Sequence, residues 1–300
     1  MSKFEKRPYQ EEAIRRIVEE YDKRKGKSFH VALPTGSGKN YVSARAIKEL
    51  DRKHYDLQIL WVAESWELLY QAAKECQKVI PSLKNEIAHY GCNLSKHREL
   101  SSEFNESGNT KIIFANIHTL WSKRSKLRRL KKPTLLIVDE FHQGETRGMR
   151  NWLVDEWVGN QVSILGLSAT PNSNTESKCI FKKTLKSLIP KYLAEPKKEE
   201  PFTGTKFEPT TNDPNVDEDG KHDKGYYALV VDDERNQFIA DYLYRHRNRL
   251  KKMMIFCINR EHCDRLYEFL NIPSKDVYYN ECENKNALKE FKAKKIPVFY

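Results

Sequence analysis

The chemistry in this sequence starts at Pro34-Thr35-Gly36-Ser37-Gly38-Lys39-Asn40, which follows the apolar stretch Phe29–Leu33 and precedes a helical pattern. Strand, glycine-rich turn and helix in that order form the context of a phosphate-binding P-loop. Gly36 and Gly38 let the backbone curl so that successive N–H groups point inward at phosphate oxygens. A helix opening near Lys39 adds its positive end, and Lys39 itself reaches the β- and γ-phosphates as a mobile cation. The next position ordinarily carries Ser or Thr, whose hydroxyl holds Mg²⁺; here it is Asn40. An amide oxygen can ligate a hard cation, but Mg²⁺ demands near-ideal octahedral geometry. The expectation is weakened metal binding, either as a tolerated variant or as an impaired hydrolase.

A second constellation is Asp139-Glu140-Phe141-His142, at the end of the apolar run Leu135–Val138. A carboxylate pair at the carboxyl end of a core strand lies where the phosphates of a nucleotide bound to the P-loop belong. Asp139 is expected to hold Mg²⁺ through a water, and Glu140 to orient or deprotonate an attacking water. A third feature is basic: residues 122–132 hold seven cations, Lys123, Arg124, Lys126, Arg128, Arg129, Lys131 and Lys132, and no acid. Cations favour a helix C-terminus in any case. This run exceeds what capping needs, so contact with a nucleic-acid backbone through Lys123, Arg124 and Arg128 stands beside the plainer reading of a solvated face.

These residues need a scaffold that brings distant loops to one edge. The runs 29–33, 57–63, 111–115, 134–138 and 162–167 are almost continuously apolar, the pattern of strands buried on both faces of a parallel sheet. Helical spacing over 9–24 rests on Ala13, Ile14, Ile17, Val18 and Tyr21. Further helices are expected at 39–50, 65–79, 94–104 and 116–130. The result is an open α/β sheet with its ligand at the carboxyl ends of the strands. Beyond Pro171 the pattern weakens, and the stretch with prolines 196, 201, 209 and 214 reads as a linker or surface insertion. Regular structure resumes with a helix over 232–250, a strand over 253–258, helices over 260–270 and 284–293, and a strand-like end at 296–300.

Composition agrees with a folded chain that meets polyanions. The 300 residues carry 53 Lys and Arg against 42 Asp and Glu, a net charge of +11, with 39% hydrophobic residues. No apolar run approaches the length of a membrane span, and the charged start of the chain lacks the apolar stretch of a secretory signal. Six cysteines without a C-x-x-C pair argue against a zinc site or a disulfide framework, and point to a reducing compartment such as the cytoplasm.

Taken together, Arg7-Pro8-Tyr9-Gln10, the P-loop, Asp-Glu-Phe-His and Ser168-Ala169-Thr170-Pro171 resemble superfamily 2 helicases in order and spacing. The likeness is to the DExH-type motor subunits of restriction enzymes and related DNA translocases. It spans residues 7–171 and continues more weakly over 253–270. The resemblance implies a P-loop RecA-like parallel sheet with helices on both faces, followed by a partial second RecA-like domain. The expected boundaries are 1–195 for the ATP-binding domain, 196–231 for the linker and 232–300 for the second domain. It implies ATP and Mg²⁺ as cofactors. Gln10 reads the adenine edge with Arg7 nearby; Pro34, Thr35, Gly36, Ser37, Gly38, Lys39 and Asn40 cradle the phosphates. Asn40 and Asp139 serve the metal. His142 and the segment Ser168, Ala169 and Thr170 couple nucleotide state to the track. Strand-end contacts to nucleic acid fall on Ser65, Asn116, His118 and Thr119, although these positions also suit helix capping.

The function so implied is an ATP-dependent helicase or translocase motor acting on nucleic acid, DNA in preference to RNA. No Q-x-x-G-R-x-x-R segment, the usual source of an arginine finger, occurs in the sequence. The chain is therefore expected to be a fragment, a truncated paralogue or a subunit completed by a partner such as a nuclease. The alternative is a non-catalytic ATP-binding or nucleic-acid-binding module derived from a helicase.

Overall fold

The computed structural model describes residues 7–23, 26–91, 102–103, 110–124, 132–140, 147–158, 162–169, 177–196, 229–246, 253–270, 277–278 and 298–299. The chain divides into two compact units, 1–196 and 197–300.

The first unit is built on an all-parallel sheet of eight strands in the order β4-β3-β5-β2-β6-β7-β1-β8. The strands are β1 (Ser28–Ala32), β2 (Ile59–Ala63), β3 (Ile87–Tyr90), β4 (Ser102–Glu103), β5 (Ile112–Asn116), β6 (Leu135–Val138), β7 (Ser163–Ser168) and β8 (Lys178–Lys182). Alternate side chains enter two separate cores, which explains why the central strands read as unbroken apolar runs. On one face Ile59, Trp61, Phe114, Ile137 and Leu165 pack with helices α1 (Pro8–Lys23), α2 (Lys39–Lys53) and α3 (Trp66–Val79). On the other, Leu60, Val62, Ile113, Leu136 and Ile164 pack with α4 (Ile117–Ser122) and α5 (Arg147–Val158) through Leu120 and Leu153. The Trp61 and Phe114 rings stack at 5.6 Å between neighbouring strands. The fold is thus the expected RecA-like α/β arrangement, with helices on both faces.

Local chemistry sets the element boundaries. Proline opens α1 at Pro8, where its missing N–H costs nothing, and α2 closes on Arg52 and Lys53 at its negative end. Several elements carry too little periodicity to be anticipated, among them β3 and β8, short strands toward the two sides of the sheet, and α5. The helix expected over 94–104 is corrected, because Ser102–Glu103 is β4, paired in parallel with Ala88 and His89. Its pairing partner lies outside the local sequence, and the remainder of that stretch lies outside the described residues. The helix expected over 116–130 is described only as far as Ser122.

In the second unit, parallel two-residue strands Val277–Tyr278, Val298–Phe299 and Met253–Met254 lie in that order. Helices Asp233–His246 and Arg260–Phe269 enclose a small core of Ala240, Leu266 and Leu270. The strand expected to run to Ile258 stops at Met254, leaving Phe256 86% exposed. The helix expected at 284–293 lies outside the described residues. Among those described, no helix is long and apolar enough to cross a membrane.

Candidate functional site

Strand register decides which loops meet. Ala32 pairs with Ser168, Val138 with Gly166, and Ala63 with Asn116. The turn after β1, the Asp139-Glu140 pair after β6 and the Ser168-Ala169 exit of β7 therefore share the carboxyl edge of the sheet. The β7 exit lies between the other two, since β7 separates β1 from β6. Backbone bonds lock this edge: Leu33 N–H donates to Ser168 O at 2.9 Å, and Asp139 N–H to Val62 O at 2.9 Å.

The glycine-rich turn is tied from several sides. Ser37 is fully buried, its hydroxyl donates to Pro34 O, and its own carbonyl accepts from Tyr9 Oη at 2.7 Å and Gln10 Nε2 at 2.8 Å. Helix α1 thereby fixes the loop through two adjacent residues. Gly38 caps α2 at φ 91°, a conformation that favours glycine, and a Cβ there would stand 2.6 Å from Gln10 Nε2, so the Gln10 amide would have to shift from its place on Ser37 O. Thr35 and Gly36 face solvent, while Lys39 and Asn40 open α2 half-buried. Arg7 donates to Tyr9 Oη at 3.3 Å. With Gln10 Nε2 engaged, its Oε1 makes no hydrogen bond among the described residues and remains an acceptor for an amino group.

Lys39 and Glu140, 101 positions apart, meet at 2.9 Å in a partly buried ion pair. Glu140 holds a left-handed conformation, φ 49°, which costs a non-glycine residue about 1–2 kcal/mol. Its N–H donates to Asp139 Oδ1 at 2.9 Å, and Asp139 is only 5% exposed. Backbone strain at such a point is stored by the surrounding structure and is typical of working sites. The oxygen donors of Asp139 and Asn40 are of the hard type that suits Mg²⁺. The turn, exposed at Thr35 and Gly36 and carrying two glycines with positive φ, suits a phosphate chain.

On the other side of the edge, capping claims two expected nucleic-acid residues. Ser65 caps α3, accepting from Leu68 N–H at 3.3 Å. Asn116 caps α4, accepting from the N–H groups of His118 and Thr119, while its Nδ2 donates to Glu64 O. His118 is exposed and Thr119 partly so. Nearby stand exposed cations on aromatic rings: Lys123 Nζ lies 5.6 Å from the Tyr90 ring, and the Arg124 guanidinium 4.9 Å from that of Trp121. Trp121 in turn meets Trp152 edge-on at 5.3 Å. A Cβ on Gly91 would collide with the Thr119 methyl, so glycine there lets the end of β3 close on α4. Ser168 is buried at the end of β7, and Ala169 is half-buried beside it. His142, Arg128 and Thr170 lie outside the described residues.

Tyr9 lies within the Arg7-Pro8-Tyr9-Gln10 motif without an assigned role, and its hydroxyl braces the loop at Ser37 O. Two further contributors carry no motif. Tyr192 and Leu193, far along the chain, lie against Tyr9 and Gly36 respectively; nothing local in the sequence signals this.

Comparison with known proteins places residues 3–173 in a match to the family described as type III restriction enzyme, res subunit. Among curated proteins, the ATP-dependent DNA helicase MPH1 of Scheffersomyces stipitis is 28% identical over 183 residues, covering 58% of this chain and 16% of the relative. The chain thus spans less than a fifth of that protein. Among solved structures, a nuclease-deletion mutant of the type ISP restriction-modification enzyme LlaGI, in complex with a DNA substrate mimic, aligns with TM-score 0.46 at 13% identity, over 62% of this chain and 20% of that one. A hypothetical ATP-dependent RNA helicase from Sulfolobus tokodaii aligns with TM-score 0.43 at 15% identity, over 99% of this chain and 78% of that one.

Proposed function

The chain belongs to the family described as type III restriction enzyme, res subunit, and from that premise we propose that it is an ATP-hydrolysing motor unit that moves on nucleic acid, DNA in preference to RNA. The observation that carries the proposal is the 2.9 Å pair between Lys39 and Glu140. It supports a reading in which the Lys39 ammonium binds phosphate and the Glu140 carboxylate activates water. The preference for DNA is supported by relatives described as ATP-dependent DNA helicases.

In this reading Lys39 releases Glu140 when a γ-phosphate takes its charge, and Glu140 is then placed to orient and deprotonate water. Asp139 and Asn40 hold Mg²⁺, which when bound neutralises phosphate charge. Gln10 accepts from the adenine amino group, and Arg7 flanks it. His142, Ser168, Ala169 and Thr170 couple nucleotide state to the track. His118, Thr119, Lys123, Arg124 and Arg128 grip the backbone of the nucleic acid without reading its sequence, while Ser65 and Asn116 position the loops that carry this surface. Residues 232–300 are read as part of a second RecA-like domain.

Asn40 favours one alternative, a module that binds ATP without turning it over. The two readings separate in an ATPase assay with single- and double-stranded DNA and RNA. The motor reading expects hydrolysis stimulated by DNA and reduced about 10²–10⁴-fold by Glu140→Gln, with ATP binding retained. It also expects Asn40→Thr to raise turnover. ATP binding without hydrolysis in every condition, unchanged by Asn40→Thr, supports the non-catalytic module; absence of ATP binding overturns both.

A further inference from the structure

After β8, helix α6 (Leu185–Leu188) turns the chain back toward the glycine-rich loop. Thr184 and Ser187 cap it reciprocally, and Leu188 is 1% exposed. The Leu188 carbonyl accepts from Tyr192 N–H at 2.8 Å and Leu193 N–H at 3.1 Å, so the residues after α6 are fixed by their own backbone. Leu193 Cδ2 lies 3.4 Å from where a Gly36 Cβ would stand, an ordinary packing contact that seats this segment on the phosphate loop. Tyr192 presents its ring to the Arg7–Gln10 turn: the edge-on contact with Tyr9 is 5.1 Å between centroids. The guanidinium of Arg7 stands 5.8 Å from the ring centroid, and the Lys191 ammonium 5.3 Å. The ring is only partly buried.

We infer that Tyr192, seated by Leu193, is the stacking wall for the base of a purine nucleoside triphosphate whose phosphates lie in the glycine-rich loop. The inference rests on the nucleotide-binding reading above and extends it to a specificity-determining residue outside every motif. A planar base has two faces to cover. Slipping one between the Tyr192 ring and the Arg7 guanidinium needs two stacking gaps, about 7 Å in all, against the 5.8 Å present. Arg7 is long and half-buried, so its side chain can open that gap without moving the backbone. Gln10, on the same turn as Arg7 and Tyr9, offers its Oε1 as an acceptor for an exocyclic amino group. Stacking supplies affinity that any base would gain. A purine, with the larger ring, gains more than a pyrimidine.

The test is isothermal titration of the full chain with ATP, CTP and inorganic tripolyphosphate. For Tyr192→Ala, affinity for ATP is expected to fall about 5- to 150-fold, and the preference for ATP over CTP to shrink. Tripolyphosphate, which has no base, should bind unchanged, and Tyr192→Phe should behave as wild type. Equal losses for ATP and tripolyphosphate would mean that Tyr192 only supports the loop, and would overturn the inference. So would an unchanged ATP affinity in Tyr192→Ala. Photolabelling of the unsubstituted protein with 8-azido-ATP provides a check that does not depend on a variant folding. Label on the tryptic peptide 192–197 is expected, and label confined to other peptides counts against the inference. If the wild type binds neither ATP nor tripolyphosphate, the nucleotide reading itself fails and this inference falls with it.

Discussion

Glycine at position 38 supplies a left-handed backbone and leaves the Gln10 amide in place on Ser37 O, which a Cβ 2.6 Å away would displace. Gly38→Ala is therefore expected to cost about 1–3 kcal/mol and to loosen Tyr9 and Gln10 from the loop. Urea denaturation should show the lowered midpoint, and titration with ATP the weakened binding. At Lys39 the balance differs. Its ion pair with Glu140 is partly buried, at 12% and 19% side-chain exposure, so breaking it removes a charge interaction from a partly buried carboxylate. Lys39→Ala should lower stability and abolish binding of tripolyphosphate as well as ATP. That pattern differs from the base-selective loss expected at Tyr192.

Helix starts and one strand seam dominate at the scale of elements. Ser65→Ala and Asn116→Ala each remove an N-cap, at a typical cost of about 0.5–2 kcal/mol. Asn116 serves two N–H groups of α4 and the Glu64 carbonyl, so its loss should be the larger in urea denaturation. At the seam of β1 and β8, burial pushes His30 below its ordinary value of 6.5, and Nδ1 meets Ser177 Oγ at 3.2 Å. Burial in the folded unit favours the neutral ring, whereas the unfolded chain protonates near 6.5. The unfolded state then binds more protons below that pH, so stability falls as pH drops from about 6.5 toward the lower folded value. His262 in the second unit follows the same sign, through burial and the nearby Arg235. Urea midpoints at pH 7.5 and 5.5 should show the loss, and His30→Gln should flatten the part that belongs to the first unit.

On the scale of the whole molecule, the +11 net charge predicts binding to nucleic acid that weakens steeply with salt. If Lys123 and Arg124 touch phosphates, replacing both with Gln should reduce the log–log salt slope by about one unit for each, with equal effect on unrelated sequences. Fluorescence anisotropy across a salt series measures this, and an unchanged slope would move the contact elsewhere. The residues assigned to nucleotide all fall within 1–196, which forms one compact unit. That segment expressed alone is expected to bind ATP with an affinity comparable to the full chain, which titration calorimetry can check.

The glycine-rich turn, the acidic pair and the central strands were determined by the sequence itself. Each is a local pattern: buried strands show as apolar runs because both faces are covered, and a phosphate turn needs glycine at fixed offsets. Ser65 and Asn116 were legible only as a choice between capping and contact, because a polar residue at a strand end looks the same for both. Tertiary structure alone decided that Lys39 pairs with Glu140, that Ser102–Glu103 joins the sheet as a strand, and that Tyr192 faces Arg7. These contacts join residues far apart in sequence. Packing and strand register create them, and register appears only once the whole sheet has formed.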